Sequence, residues 1–227
     1  MAASHDDSAS RFETWEVPES DGARLREGHA LLREELLPGE VEPLDEFLRT
    51  VSSATTAAVV PVMVCGTSEV EMIGFNVGLY LQDVNVGFIA YSAVRPRWRR
   101  RGVYTTMRAL LVAAMQRGAG GRGRGQLDYV VSELDESSPL LRPYVDELNA
   151  LVAPCTYEQP AVQGLASRRL KLVLQPLGKR GLPRSGSLLD IVGEIYRSVY
   201  RISNVLDHPG YRRVAASLDL TPLAVAP

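Results

Sequence analysis

The chain has 227 residues, 45% hydrophobic and 23% charged, which supplies a real apolar core and excludes a disordered, collagenous or coiled-coil protein. Its 25 Lys plus Arg stand against 27 Asp plus Glu, and the formal charge of -2 excludes a protein that is basic throughout. That balance hides a segregation, because residues 1–50 hold 13 acids and five arginines while residues 95–124 hold nine arginines and no acid.

The first 21 residues are polar and acidic and are expected to be loose. Leu25, Leu31, Leu32 and Leu36 then give a rough helical face. Val41, Leu44, Phe47, Leu48 and Val51 give a cleaner one, with Pro43 suited to a first turn. The period changes at Ala57–Cys65, which reads as a buried strand. Glu71–Gln82 and Asn85–Val94 are two further strands rich in Val, Ile, Phe and Tyr, joined by a short turn at Asp83-Val84. A helix follows, with Val103, Met107, Leu110, Leu111 and Ala114 on one face and Gly118 at its end.

A glycine-arginine loop, Gly118–Gly125, leads into a strand at Gln126–Leu134. Leu140, Leu141, Tyr144, Leu148 and Leu151 form another helical face. A short strand at Cys155–Glu158 and a strand carrying Leu170, Leu172 and Leu174 come next. The pattern Leu188, Val192, Ile195, Val199, Ile202, Leu206 predicts one long last helix capped by Ser187. Antiparallel strands followed by strand-helix-strand units imply an α/β protein of the α+β mixed type: a central mixed, mostly antiparallel sheet with helices on both faces.

Several functions are set aside on this reading. The most apolar run is interrupted by Pro61 and is far shorter than the about 20 residues that span a bilayer. The N-terminus has no basic segment followed by an apolar one, so no secretion signal and a cytoplasmic location are expected. Cys65 and Cys155 form no CxxC pair and suit reduced, core positions. His5, His29 and His208 are scattered, and no metal site is expected. The segment 118–123 matches GxGxxG in letters only, since it follows a helix and precedes a strand, the reverse of the dinucleotide-binding order.

The informative segment is Val94-Arg95-Pro96-Arg97-Trp98-Arg99-Arg100-Arg101-Gly102-Val103-Tyr104-Thr105. A strand ends, an arginine loop follows, and glycine opens an amphipathic helix. The first turn of a helix leaves up to four N–H groups without intrahelical partners, and the macrodipole adds about half a positive charge. Arginines add charge-assisted contacts, so the natural ligand is a phosphate or pyrophosphate.

Arg99-Arg100-Arg101-Gly102-Val103-Tyr104 resembles the signature of the GNAT family of N-acetyltransferases: Arg or Gln, two residues, Gly, one residue, then Gly or Ala. Tyr104 departs from the small residue of that pattern. The resemblance covers residues 22–175 and leaves 176–227 as a C-terminal helical extension. It implies acetyl-CoA as co-substrate. The pyrophosphate would lie on the amides of Arg101, Gly102, Val103, Tyr104 and Thr105, beside Arg99 and Arg100. The arm would pair with the backbone at Ala93 and Val94, admitted by a splay between the strands Asn85–Val94 and Gln126–Leu134.

The chemistry implied is attack by an amine of a small molecule or peptide on the thioester. It implies Tyr144 as the acid for the leaving thiolate and Glu133 as the base, with Asp135, Glu136 and Glu71 as competing bases. Phe88 stands where some histone-type members carry a base. On the residues alone Tyr144 suits a packed position on its helix better, and Glu133 suits a surface one as well. A coenzyme-binding regulatory domain without turnover is the alternative, and an arginine-rich polyanion-binding module a weaker one. No membrane partner and no nucleic acid are expected, and a homodimer is allowed.

Overall fold

A computed structural model describes residues 11–52, 59–68, 71–161, 167–179 and 181–220. A seven-stranded sheet runs through it in the order β1 (Glu13–Val17), β2 (Val59–Thr67), β3 (Met72–Leu81), β4 (Val86–Val94), β5 (Tyr129–Leu134), β9 (Lys171–Pro176) and β6 (Leu151–Val152). Every pair is antiparallel except β4 with β5. The hairpin of β7 (Glu158–Gln159) and β8 (Arg168–Arg169) stands apart from the sheet. The mixed, mostly antiparallel sheet expected from the sequence is therefore present. Ala57 and Ala58 of the expected first strand lie outside the described residues.

Helix α1 (Gly22–Glu35) starts where the Asp21 side chain accepts from the Arg24 N–H at 3.1 Å. It and α2 (Leu44–Ser52) bury Leu25, Leu31, Leu32, Phe47 and Val51 against Phe75, Val77 and Ala93 on one sheet face. Helix α3 (Val103–Gly120) covers the other face, with α4 (Leu141–Leu148) beside it. Strand glycines make a track for α3. A Cβ at Gly74 would stand 2.6 Å from Met107 Cε, one at Gly78 3.1 Å from Leu111, and one at Gly87 2.9 Å from Met115. Met107, Leu111 and Met115 are four residues apart, one ridge of the helix.

The C-terminal chain departs from the expected single helix. Helix α5 (Ser185–Glu194) is followed by one wide turn over Ile195–Val199, in which the Tyr200 N–H donates to the Ile195 carbonyl, five residues back. Arg201 then takes φ 56° and ends the run. A second helix, α6 (Pro209–Ser217), is the last among the described residues. The apolar period survives this break because Val199, Ile202 and Leu206 reach the same core from separate segments. That core also holds Phe88, Tyr129, Leu172, Leu174, Leu188, Ile195, Tyr196 and Val214. The segment expected to be loose contains β1, which pairs with β2 from Glu13↔Thr67 to Val17↔Met63.

Gly28 marks where α1 rests on the sheet, because a Cβ there would lie 2.6 Å from three Phe75 ring atoms. The ring is fully buried. Replacing Gly28 with Ala raises helix propensity by about 1 kcal/mol, whereas overpacking costs about 1–3 kcal/mol. Gly28→Ala is therefore expected to lower the unfolding free energy by about 1 kcal/mol in urea titration.

Candidate active site

Strands β4 and β5 pair only over Val86–Ile89 and Tyr129–Ser132. β4 runs on to Val94 and β5 to Leu134, so beyond Ile89 the two strands part. The register against β3 passes from Val77↔Tyr91 to Gly78↔Ile89, which leaves Ala90 as an extra residue in β4. Such a bulge bends its strand. A cavity of about 270 Å³ opens between the strands. Its lining includes Ala90, Tyr91 and Ser92 of β4, Ser132, Glu133 and Leu134 of β5, and Tyr104 and Tyr144. Ser92 Oγ is buried there without a hydrogen-bond partner.

The arginine loop begins where β4 ends. Arg100 has φ 62° and Gly102 φ 81°, and Arg101 between them is not in the positive-φ region. Alternation of this kind turns successive N–H groups toward one concavity, an anion nest. Gly102 is also the residue before α3, and no side chain caps that helix. Nothing lies within 4 Å of a Cβ built on Gly102, so it is the backbone sign that favours glycine, and the space before it is open. Ala93 and Val94 pair with Phe75 and Gly74 of β3 along one edge and have no β5 partner along the other. An uncapped helix start, a backbone nest and an unpaired strand edge suit a pyrophosphate followed by an extended amide-bearing arm.

Most of the arginine loop is held by acids. Arg95 Nη1 meets Glu34 at 2.7 Å, and Arg99 Nη2 meets Glu35 at 2.9 Å. Arg99 Nε also donates to the Val94 carbonyl at 2.9 Å, which fixes the turn out of β4. Arg97 pairs with Glu71, and Trp98 Nε1 donates to the same carboxylate at 3.3 Å. These bonds hold the Glu71 carboxyl below its ordinary range, Arg97 foremost. Glu71 therefore serves the loop and does not line the cavity. Arg117 is paired with Glu16. Arg101 lies over the Trp98 ring, 5.4 Å from its centre.

Tyr144 is 3% exposed and faces the cavity from α4. Its hydroxyl is 2.6 Å from that of Tyr104, and Ser132 Oγ donates to it at 3.3 Å. The Tyr104 side chain, at the departure from the family pattern, thus reaches the candidate acid. Burial raises the Tyr104 hydroxyl far above its ordinary range, and the neighbouring Tyr144 adds to this.

Glu133 lies on the opposite sheet face from Tyr144 and lines the same cavity. Tyr157 and Tyr200 each donate to its carboxylate, as does Gln159 Nε2 at 3.3 Å. Gln159 Nε2 also lies 2.8 Å from the Tyr200 hydroxyl. Burial pushes the Glu133 carboxyl up to about 7, against the two tyrosine bonds that favour its charged form. Tyr157 and Tyr200 are raised well above their ordinary range by burial and by Glu133, so they remain neutral donors. Of the competing bases, Asp135 lines the cavity but is bonded by Ser137 and Arg168. Glu136 is exposed and pairs with Lys171 at 3.1 Å.

A second cavity of about 180 Å³ adjoins on the side of α2 and shares Glu40, Ala90, Tyr91 and Gln159 with the first. Glu42, Glu46, Tyr200 and Arg201 also line it. Glu42 accepts from the Tyr91 hydroxyl. Glu40, before α2, pairs with Arg168 of the β7–β8 hairpin, which also lies 3.5 Å from Asp135. Sequence reasoning did not find Tyr91, Tyr157, Gln159, Arg168 or Tyr200. Their only shared signal is a polar atom on an otherwise apolar or turn position, which has no meaning until the fold brings them to Glu133. Among the described residues no cluster of His, Cys, Asp and Glu is arranged to hold a metal ion, and no helix is long and apolar enough to cross a membrane.

No protein-family model and no curated protein matches the chain. Solved structures do match it in fold. One is an acetyltransferase assigned to the GNAT family from Bacteroides thetaiotaomicron, at TM-score 0.58 and 14% identity over 86% of this chain and 100% of that one. A Salmonella typhimurium structure described as an acetyltransferase with acetyl-CoA superposes at TM-score 0.53 and 11% identity, over 77% of this chain and 98% of that one. The diaminobutyrate acetyltransferase of Paenibacillus lautus, in complex with L-2,4-diaminobutyric acid and coenzyme A, gives 0.51 and 14%, over 76% and 99%. The fold is that of the GNAT acetyltransferases.

The raised Glu133 carboxyl links stability to pH. The folded state binds this proton more tightly than the unfolded chain, whose carboxyl keeps the ordinary value of 4.5. The stabilisation is full below that value and is lost as pH rises through about 7. Between about pH 5 and about pH 8 the wild-type chain is expected to lose stability relative to Glu133→Gln, measured by urea unfolding of both at each pH.

Proposed function

We propose that the protein is an acetyl-CoA-dependent N-acetyltransferase that acetylates an amine of a small molecule or peptide. The observation that carries this reading is the parting of β4 from β5, which opens one cavity lined by Tyr104 of the first turn of α3, by Tyr144 and by Glu133. Residues 22–175 supply the donor site and the base, and the extension from 176 supplies Tyr200 to the acceptor side.

Acetyl-CoA supplies a thioester carbon open to attack. The nest at Arg100–Gly102 and the first turn of α3 bind its pyrophosphate, and the free edge of β4 at Ala93 and Val94 aligns its arm. Glu133 takes a proton from the incoming ammonium so that the neutral amine attacks. A carboxyl near 7 is matched to that task, since a base works best when its pKa lies near the working pH. Tyr144 gives a proton to the departing sulfur.

Calorimetric titration with acetyl-CoA and a thiol-release assay with a panel of amines test the reading. Gly102→Glu is expected to weaken acetyl-CoA binding by about tenfold or more, because it puts a carboxylate where the pyrophosphate lies. Glu133→Gln is expected to bind acetyl-CoA normally, to lower kcat by about 100-fold and to abolish the rise of kcat with pH through neutrality. Binding without thiol release for any amine would leave a coenzyme-binding regulatory domain.

A further inference from the structure

Arg108 is a charged group that the proposed reaction leaves unused. It lies on α3 one turn beyond Tyr104 and is 6% exposed. None of the ion pairs among the described residues includes it. Its Nη2 meets Gln175 Oε1 at 2.5 Å, and its Nε is buried without a partner. Its guanidinium lies 5.1 Å from the centre of the Tyr144 ring. The contrast with its neighbours is informative. Arg95, Arg97, Arg99 and Arg117 are all more exposed, need an acid less, and each has one. A buried cation without a counter-charge is among the more costly arrangements in a fold, and an apolar side chain of similar length removes that cost.

A positive charge kept there at such cost suits something that becomes negative beside it. The Tyr104–Tyr144 hydroxyl pair, 2.6 Å apart, is in that place. We propose that Arg108 is a positioning residue for acyl transfer, whose buried, unpaired charge stabilises the Tyr104–Tyr144 pair when Tyr144 yields its proton to the leaving thiolate. This rests on the transferase reading above. As the amine nitrogen bonds to the acyl carbon, the carbon–sulfur bond breaks and its electron pair goes to sulfur. Sulfur takes the Tyr144 proton, the Tyr144 oxygen is held by the Tyr104 hydroxyl beside Arg108, and the proton that the nitrogen sheds on becoming an amide returns through water to Tyr144. Around the pair, α3 supplies Arg108, β5 supplies Ser132 and β9 supplies Gln175. The charged side chains that share the cavity are Glu40, Glu133, Asp135 and Arg168.

Arg108→Met and Arg108→Lys test this by thermal unfolding, acetyl-CoA titration and pH-dependent thiol release. Arg108→Met is expected to melt at or above the wild-type temperature and to bind acetyl-CoA within about twofold of wild type. Its kcat is expected to fall about 30-fold or more, because the negative charge that develops on the pair is no longer met by a cation. Arg108→Lys is expected to restore kcat to within about fivefold of wild type. An Arg108→Met kcat within about twofold of wild type at every pH overturns the proposal, as does a fall in melting temperature together with lost acetyl-CoA binding. A wild-type chain that releases no thiol with any amine overturns the transferase reading itself, and the role of Arg108 in acyl transfer with it.

Discussion

Everything in the candidate site depends on two strands that begin as partners and then separate. β5 follows β9, to which it is bonded along its whole length, from Tyr129↔Pro176 to Leu134↔Lys171. β4 follows β3 and is bent by the extra residue at Ala90. Each strand is tied to a different neighbour, so the four pairs between them end at Ile89 and Ser132. A gap in a sheet interior exposes backbone donors and acceptors that folding otherwise satisfies. Polar side chains from both faces converge on the gap: Tyr144, Tyr104 and Ser132 from one, Glu133 and Tyr91 from the other.

The separation of charge along the chain is undone in space. Acids of the first 50 residues, Glu16, Glu34 and Glu35, meet Arg117, Arg95 and Arg99. Exposed pairs of this kind contribute little stability each. Their effect is positional, since they fasten the loop that leaves β4 to α1 and leave the backbone of Arg100 to Gly102 facing open space. This also weakens a polyanion-binding role, which needs the arginines unoccupied.

The fold was legible in the sequence where periodicity was long and uniform. Met107, Leu111 and Ala114 announced α3, and the arginine loop was legible because one glycine before an amphipathic helix is a local signal. The last helix misled for the same reason: Leu188 to Leu206 keeps a helical period, but Tyr196 is tethered to the Glu158 carbonyl and Tyr200 to Glu133, and the chain opens into a wide turn to make both bonds. Strand β1 was hidden because its residues alternate too weakly between buried and exposed, with only Val17 fully buried. At the other end of the cavity, Glu133 could be named but its state could not. Burial by Tyr157, Gln159 and Tyr200 comes from positions 24 to 67 residues later.

That distance along the chain has a consequence for biosynthesis. A ribosome that has released the chain through Glu133 has already delivered the arginine loop, α3 and the first five strands. The free edge of β5 still lacks β9, and the glutamate lacks both tyrosines. In such a nascent chain Glu133 lacks the later segments that bury it in the folded protein. The burial that raises its carboxyl is complete only after the later segments have emerged and docked, so this end of the cavity matures after the arginine loop and α3.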